Sequence, residues 1–538
     1  LYTQKLYASS NTTITDGGKN GHYTEARAYN TQTYGDVMVN INKTFGDDWS
    51  LNANIGASIN NIKTDELSYR GPIQENGLPN VFNVFDLDDT KKRAEKTGWH
   101  DQTQSLFASV EVGWRQMLYL TVTGRNDWAS QLANSPSSSF FYPSVGLSWV
   151  PTSTWDLGEA LSYLKIRGSI ASVGMPFPRH LTIPTYEYDA TNRVWKDKTH
   201  YPIGDLKPER TTTYEVGLDA RLWQRISLSA SWYQADTKNQ TFDPSLPPSS
   251  SYTTIYLQTG HVRNTGVELS AGYDNQWRDF RWATNFTYSW NRNEIIELAA
   301  NAVNPVTGEP LNLNKLDIKG LGKAKYILKE GGTLGDLYTT SDLRFNDNGY
   351  IEVDKNGNLL LTDEGDDIYL GSVFPDHNLA WRNDFSWKGI NLGVLFTARI
   401  GGICYSATQA NMDLYGVSEA SAAARDAGGV WINGRELVDA QKWYQAIGSQ
   451  SGLPQYYTYS ATNIRLQELS LGYTLPAKWF RDKMRMTVSF VGRNLWMIYC
   501  KAPFDPEAVA STGLNYQGID YFMMPSLRSL GFNVKFQF

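Results

Sequence analysis

Long apolar runs are missing from this chain of 538 residues. Nothing in it approaches the roughly 18 consecutive apolar residues that a membrane-crossing helix requires, so a helical membrane protein is excluded. Cysteine is scarce: Cys404 and Cys500 are the only two. That is too few for a disulfide framework or a zinc cluster, and both read as incidental. Strong charge of one sign is also missing. A formal net charge of -6 gives no reason to expect a nucleic-acid partner. Leu1 to Ser10 lacks the basic start and apolar stretch of a signal peptide. A mean hydropathy of -0.43 with 19% charged residues resembles a water-soluble protein. A transmembrane β-barrel has the same averages, because its lipid-facing and lumen-facing residues alternate and cancel.

Aromatic residues and alternation are abundant. Tyrosine occurs 32 times and tryptophan 18 times, which suits girdles of amphipathic rings at two membrane interfaces. From Ser526 to Phe538, the apolar residues Leu530, Phe532, Val534, Phe536 and Phe538 alternate strictly with Ser529, Gly531, Asn533, Lys535 and Gln537. A period of two is a β-strand with one apolar face. The pattern recurs upstream, for instance at Val37, Val39 and Ile41, at Val216, Leu218 and Ala220, at Val267, Leu269 and Ala271, and at Met486, Val488 and Phe490. About fifteen or sixteen segments of about ten residues emerge, the length that crosses a bilayer at a barrel tilt. Charges fall almost wholly on the opposite face. A charge on the lipid face at mid-membrane costs about 2–4 kcal/mol, which explains the segregation. The fold class expected is all-β, a transmembrane antiparallel β-barrel.

Connections alternate in length. Short turns are expected between Phe45 and Trp49, around Gln116, at Gln224, from Asn275 to Arg278 and at Lys388 to Gly389. Long connections are expected at Lys63 to Gln102, Gly174 to Arg210, Lys238 to Gly260, Asn293 to Asp376, Gly402 to Thr462 and Met497 to Pro525. Short turns on one side with long loops on the other is the outer-membrane pattern. Within the loops, Asn348-Gly349 and Asn356-Gly357 read as hairpin turns, since both dipeptides tolerate positive φ. Asp354, Asn356 and Asn358 resemble the start of a calcium loop, but Leu359 and Gly365 occupy the positions that need Gly and Glu, so a hairpin is the better reading. Glu419 to Arg425 and Glu436 to Ile447 are expected to be short surface helices.

Several blocks carry a family resemblance. Gly124-Arg125-Asn126-Asp127-Trp128 and Phe141-Tyr142-Pro143-Ser144-Val145-Gly146-Leu147-Ser148-Trp149 resemble a strand-and-loop block of SusC/RagA-type TonB-dependent outer-membrane transporters. The match continues through Leu164-Lys165-Ile166-Arg167-Gly168-Ser169, through residues 206–218 and through Asn264-Thr265-Gly266-Val267-Glu268-Leu269. It is strongest at residues 464–476, followed by Gly492-Arg493-Asn494-Leu495-Trp496 and Phe504-Asp505-Pro506-Glu507. Each block alone is moderately specific. Their order, from about residue 120 to the C-terminus, is highly specific.

The resemblance implies an energised importer in the outer membrane of a Gram-negative bacterium. Such proteins are barrels of roughly 22 strands with an N-terminal plug, a TonB box and a SusD-like lipoprotein as lid. The substrate implied is an oligosaccharide or other polymer fragment, with peptide as an alternative. Partners implied are the lipoprotein lid, the TonB complex through the plug-bearing part, and outer-membrane lipid, arranged as a dimer of transporter–lipoprotein pairs. Residues 1–538 are expected to be the C-terminal part of that barrel, without plug, TonB box or first strands, and hence with two open sheet edges. The terminal residues Phe532, Val534, Phe536 and Phe538 resemble the signal read by the barrel-assembly machinery. No cofactor, metal or catalytic residue is assigned. The six histidines show no metalloprotease spacing, and no nucleophile elbow or phosphate loop occurs. Glu215, Asp219, Arg221, Glu268, Arg399, Glu468, Arg485 and Arg493 are expected to face the lumen and pair with one another or with a plug. Loop aromatics Tyr252, Tyr256, Trp431, Trp443, Tyr456, Tyr457 and Tyr459 are open to two readings, stacking on a sugar or lid and packing within the loops. The rival fold reading, a complete passive porin of about sixteen strands, requires the first strand to pair with the last.

Overall fold

The computed structural model describes residues 1–8, 19–182, 186–189, 194–197, 200–201, 206–242, 254–298, 315–362, 365–511, 513 and 516–538. One antiparallel sheet of 16 strands, paired strictly in chain order, dominates it. Its members are β1 (Tyr2–Leu6), β2 (His22–Phe45), β3 (Trp49–Pro72), β4 (Arg93–Trp114), β5 (Leu118–Ala129), β6 (Phe140–Trp149), β7 (Leu161–Met175) and β8 (Glu209–Leu222). The second half comprises β9 (Ile226–Phe242), β10 (Leu257–Trp277), β11 (Phe280–Glu297), β12 (His377–Trp387), β13 (Ile390–Ile400), β14 (Asn463–Thr474), β15 (Arg485–Cys500) and β16 (Ser529–Gln537). Among the described residues β1 pairs only with β2, and β16 only with β15. The sheet therefore has two open edges, and the closed sixteen-strand porin is not what forms.

The alternating residues sort as the period of two requires. Val216, Leu218, Trp232, Leu269, Phe286, Leu471, Val488 and Phe532 are all exposed, and cross-strand register places them on one face. The solvent-accessible surface is 32285 Å², against about 19,500 Å² for a compact globule of this mass. The excess is the apolar outer wall together with an unfilled interior.

Short turns lie at one end. Lys388 and Gly389 form a two-residue hairpin with φ of 47° and 89°, both positive as the twist-matched turn demands. Outward-facing aromatics gather at that end, including Phe45, Trp49, Trp114, Trp277, Phe280 and Trp387. Neighbouring rings touch from strand to strand, as in Trp49–Trp114 at 6.5 Å and Trp277–Phe280 at 6.0 Å. This is an interfacial girdle, where each ring is half in lipid and half in water.

The opposite end differs from the sequence reading in one respect. The segment 63–102 was expected to be a loop, yet β3 runs on to Pro72 and β4 starts at Arg93. At 24 residues β2 and β3 are far longer than a bilayer needs. Their distal halves stand in water on both faces, so apolar alternation there is not required and is not seen. The two Asn-Gly turns form as expected, with Gly349 and Gly357 at φ 75° and 74°. The Asp354 carboxylate accepts the amides of Asn356 and Asn358, each at 2.8 Å. Helices are α1 (Ala407–Leu414), which the sequence reading did not foresee, α2 (Glu419–Asp426) and α3 (Ala440–Ile447). Residues Glu436–Val438, expected to be helical, form a strand paired with Val430–Ile432.

Placing arginine at the lipid-facing position Leu218 should cost about 2–4 kcal/mol. A lysine at lumen-facing Ser270 should cost much less. Urea-induced unfolding in detergent, followed by intrinsic tryptophan fluorescence, measures both. Equal losses would contradict the face assignment.

Candidate functional site, a polar lumen wall under a packed loop assembly

The inner face is a ladder of charges tied across strands. Arg167 on β7 reaches over β8, its guanidinium 3.1 Å from Glu215 and 2.8 Å from Asp219. Ser229 on β9 donates to Asp219 at 2.7 Å. The guanidinium lies flat against Gly217, where a Cβ would stand 2.8 Å from the Arg167 Cζ. Any side chain at that position would push the arginine off its partners. Further round, Arg382 on β12 contacts Asp384 at 2.8 Å and Glu468 at 3.1 Å, and Arg493 contacts the other oxygen of Glu468 at 3.2 Å. Towards the other edge, Arg125 donates to Asp127 at 2.7 Å and to Ser105 at 2.7 Å, and Tyr142 donates to Asp127 at 2.6 Å.

Glu268 departs from this pattern. It shares one lumen-facing row with Arg167, Gly217, Ser231, Ser289, Asn378 and Arg399. No described cation pairs with it. With Arg167, whose guanidinium is held by Glu215 and Asp219, and with Ser231, Ser270, Ser289 and Asn378, it lines a cleft of ≈ 350 Å³. The wall here offers hydroxyls, an amide and an unpaired carboxylate to a polar solute.

The loop-side ends of β9–β11 and the described residues of the connections 315–376, 401–462 and 501–528 share one hydrophobic core, including Phe242, Ile295, Tyr326, Leu337, Tyr405, Tyr457 and Ile519. A four-stranded sheet (Lys315–Leu321, Ala324–Lys329, Asp336–Thr339, Ile368–Ser372) and a three-stranded one (Thr458–Ser460, Ile403–Ser406, Ile519–Asp520) frame it. Polar links cross between loops. The Tyr326 hydroxyl donates to the Gln517 carbonyl, and Tyr457 donates to Asp413 at 3.0 Å. Ser406 donates to Asp520 at 2.6 Å while capping α1 through the Gln409 amide. Cys404 is buried in this core, and burial pushes its thiol up to about 12. It is packing, not a nucleophile.

The loop assembly is clamped to the barrel rim by a buried ion pair. Arg465, with only 4% of its side chain exposed, meets Asp505 at 8%, its Nη1 lying 3.0 Å from Oδ2. Asn463 orients the guanidinium, and Ser526 donates to the same carboxylate. Burial pushes the Asp505 carboxyl up, but hydrogen bonds from Arg465, Ser526 and the Glu507 amide outweigh it, so the group titrates below its ordinary value.

Of the lumen residues named from sequence, Glu215, Asp219, Glu468 and Arg493 are ion-paired, and Arg399 lies 3.8 Å from Glu507. Arg221, Glu268 and Arg485 have no ion pair among the described residues. The partner residues Arg167, Arg382, Arg465 and Asp505 are not marked by any local pattern, although three of them sit in the blocks that carry the family resemblance. Among the loop aromatics Tyr457 is core, Trp431 is 66% exposed and Tyr456 39%. Tyr252 lies outside the described residues. No described group of three or more His, Cys, Asp or Glu side chains is arranged to hold a metal ion.

Residues 2–395 match the family model described as TonB dependent receptor-like, beta-barrel. TonB-dependent receptor P3 of Formosa agariphila is 25% identical over 98% of this chain and 54% of its own length. TonB-dependent receptor SusC of Bacteroides thetaiotaomicron is 22% identical over 70% of this chain and 38% of its own length. The chain thus spans about half the length, or less, of these curated relatives. Among solved structures, the RagAB peptide transporter superposes with a TM-score of 0.73 at 19% identity, covering 99% of this chain and 58% of that one. That likeness concerns the fold.

Replacing Arg465 with alanine strands the buried Asp505 carboxylate and should cost about 3–5 kcal/mol. A paired Arg465→Met, Asp505→Leu change should restore most of that loss. Limited proteolysis within residues 501–528 reads the clamp directly, and the single variant should be cut faster. The clamp should also be acid-sensitive. Because the folded-state value of Asp505 is depressed, its contribution is complete above the ordinary value of 3.8 and is lost as pH falls through the depressed one.

Proposed function

The chain belongs to the TonB-dependent receptor-like β-barrel family, and from that premise we propose that it forms the greater part of an outer-membrane barrel importing oligosaccharides or similar polar polymer fragments. The family is one of receptor barrels, not of enzymes. In this reading a SusD-like surface lipoprotein closes over the loop assembly, solute descends along the lumen, and a TonB complex in the periplasm supplies the energy. The remaining strands and a plug belong to a longer whole of which residues 1–538 are the C-terminal barrel part. Transporter and lipoprotein assemble as a dimer of pairs, in the outer membrane of a Gram-negative bacterium.

One observation carries the reading. A hydroxyl-rich lumen wall, with Glu268 unpaired among the described residues, stands beneath loops that share one hydrophobic core. A polar, uncharged-to-cationic solute fits such a wall, and a stable rim suits a docking lipoprotein. Peptide is the other substrate reading, and the RagAB structures named for peptide transport share this fold.

Isolating the full-length protein from native outer membranes in mild detergent tests partner and cargo together. A co-purifying lipoprotein with a trapped glycan is the expected result. A trapped peptide would redirect the substrate class. Steady single-channel conductance through an unplugged pore would refute active import.

Phe532, Val534 and Phe536 lie in register against Phe490, Val488 and Met486, and Phe538 follows them, 99% exposed. We read them as the assembly signal. Phe538→Ala should cut the amount of folded protein in the outer membrane severalfold, seen as loss of the heat-modifiable band on gels. Unchanged levels would remove that role.

A further inference from the structure

On the outer face, each strand passes from apolar to polar at a definite residue. On β2 to β5 the first positions above the band are Gly35 and Thr33, Asn61, Gln104 and Gln102, and Asn126, all uncharged. On β8 to β11 charged residues follow on the same face, after one uncharged residue on β8, β9 and β10 and at once on β11. Above Val216 and Tyr214 come Thr212 and then Arg210. Above Trp232 come Gln234, Asp236 and Lys238, above Val267 come Thr265 and Arg263, and above Trp290 comes Arg292. Trp232 and Trp290 mark the interface itself, where indole rings settle between lipid tails and water.

Within this arc, Arg210 and Lys238 are direct cross-strand partners on the same face. Like charges directly opposite on neighbouring strands destabilise a sheet, and no described carboxylate relieves this pair. Arg210 donates to the Ser172 hydroxyl at 2.7 Å and towards the Phe141 carbonyl at 3.5 Å. Lys238 has no described partner. The acids nearby are committed or displaced. Asp236 accepts from Arg263 at 2.8 Å and from Gln234 at 2.9 Å, with the His261 ring nitrogen also at 2.8 Å. Glu294 stands 3.6 Å from Arg292, and Glu297 lies opposite His261 on β11.

We propose that Arg210 and Lys238, backed by Arg263 and Arg292, seat the phosphate of a membrane lipid against the outer face of the barrel. The planar fork of arginine and the point charge of lysine are both suited to phosphate oxygens. The cations begin two residues past Trp290 with Arg292 and end six past Trp232 with Lys238, on the side of the tryptophan row where the headgroups of that leaflet stand. A bound anion between Arg210 and Lys238 removes their repulsion and fixes the protein's height and rotation in the membrane on this arc.

The test uses full-length protein in neutral detergent, titrated with phosphatidylglycerol or phosphatidylcholine and read by native mass spectrometry. Wild type should retain phosphatidylglycerol in preference. The Arg210→Gln, Lys238→Gln double variant should lose that preference by about tenfold or more, the scale expected for two basic residues at an anionic surface. Lys238→Gln alone should lose part of it. Lys63→Gln, on the β2–β5 arc and already paired with Asp65 at 3.1 Å, should behave as wild type, and unchanged heat-modifiable migration will show that all variants are folded. Preference retained in the double variant, or absent in wild type, would overturn the proposal. Equal displacement of phosphatidylglycerol by inorganic phosphate would overturn its assignment to a lipid.

Discussion

A charge in the wall of a barrel has to be answered on a neighbouring strand, and this requirement organises the molecule. The lumen of a membrane barrel is confined, and a lone charge there is poorly solvated. Within the apolar band nearly all charges point inward, and several find partners one or two strands away. Arg167 crosses to Glu215 and Asp219, Arg382 to Glu468, and Arg493 to the same Glu468. These pairs work only in one register. A slip of one residue would turn every member towards lipid. The ladder therefore does more for specificity of pairing than for net stability, since partly exposed ion pairs contribute little on average.

This also gives the sequence blocks physical content. Arg125 and Asp127 lie in one block and Tyr142 in the next, yet they form a single hydrogen-bonded group. Arg167 belongs to a third block, and its partner Glu215 to a fourth. Glu468 and Arg465 sit in the strongest block, with Arg493 and Asp505 in the two that follow. The blocks are halves of contacts. Their fixed order along the chain follows from strands pairing in sequence order, so that consecutive blocks meet on consecutive strands.

The fold was legible because two signals are local. A period of two with one apolar face exposes each strand wherever lipid meets one side, and short turns mark the other boundary. Where lipid is absent the signal fades. The segments 63–72 and 93–102 are strands with both faces wet, so nothing in their pattern separated them from loop. Helix α1 went unseen because three of its eight residues are buried against loops from distant sequence, a setting that no local period encodes. For the site, the face of Glu215, Glu268 and Glu468 was readable, but their partners were not. Whether Glu268 is free and Glu215 is bound depends on Gly217 leaving room for Arg167, which is a fact of three strands together.

The two open edges set the remaining constraint. Along β16 every residue from Ser529 to Gln537 is exposed, and one side of its backbone has no partner among the described residues. In water an edge strand is an aggregation risk; within a bilayer each unsatisfied amide or carbonyl costs several kcal/mol. Five residues of β1 face the same problem at the other margin. A membrane-resident form of this sheet must therefore pair both edges. The partner strands must carry the same apolar outer face and the same height of band as β2 and β15. The seam is thus specified in register and polarity by residues already in place, with Phe532, Val534 and Phe536 outward and Asn533, Lys535 and Gln537 inward. On the same inner face the Arg167, Arg382 and Arg493 pairs hold their register, while Glu268 has no ion pair among the described residues.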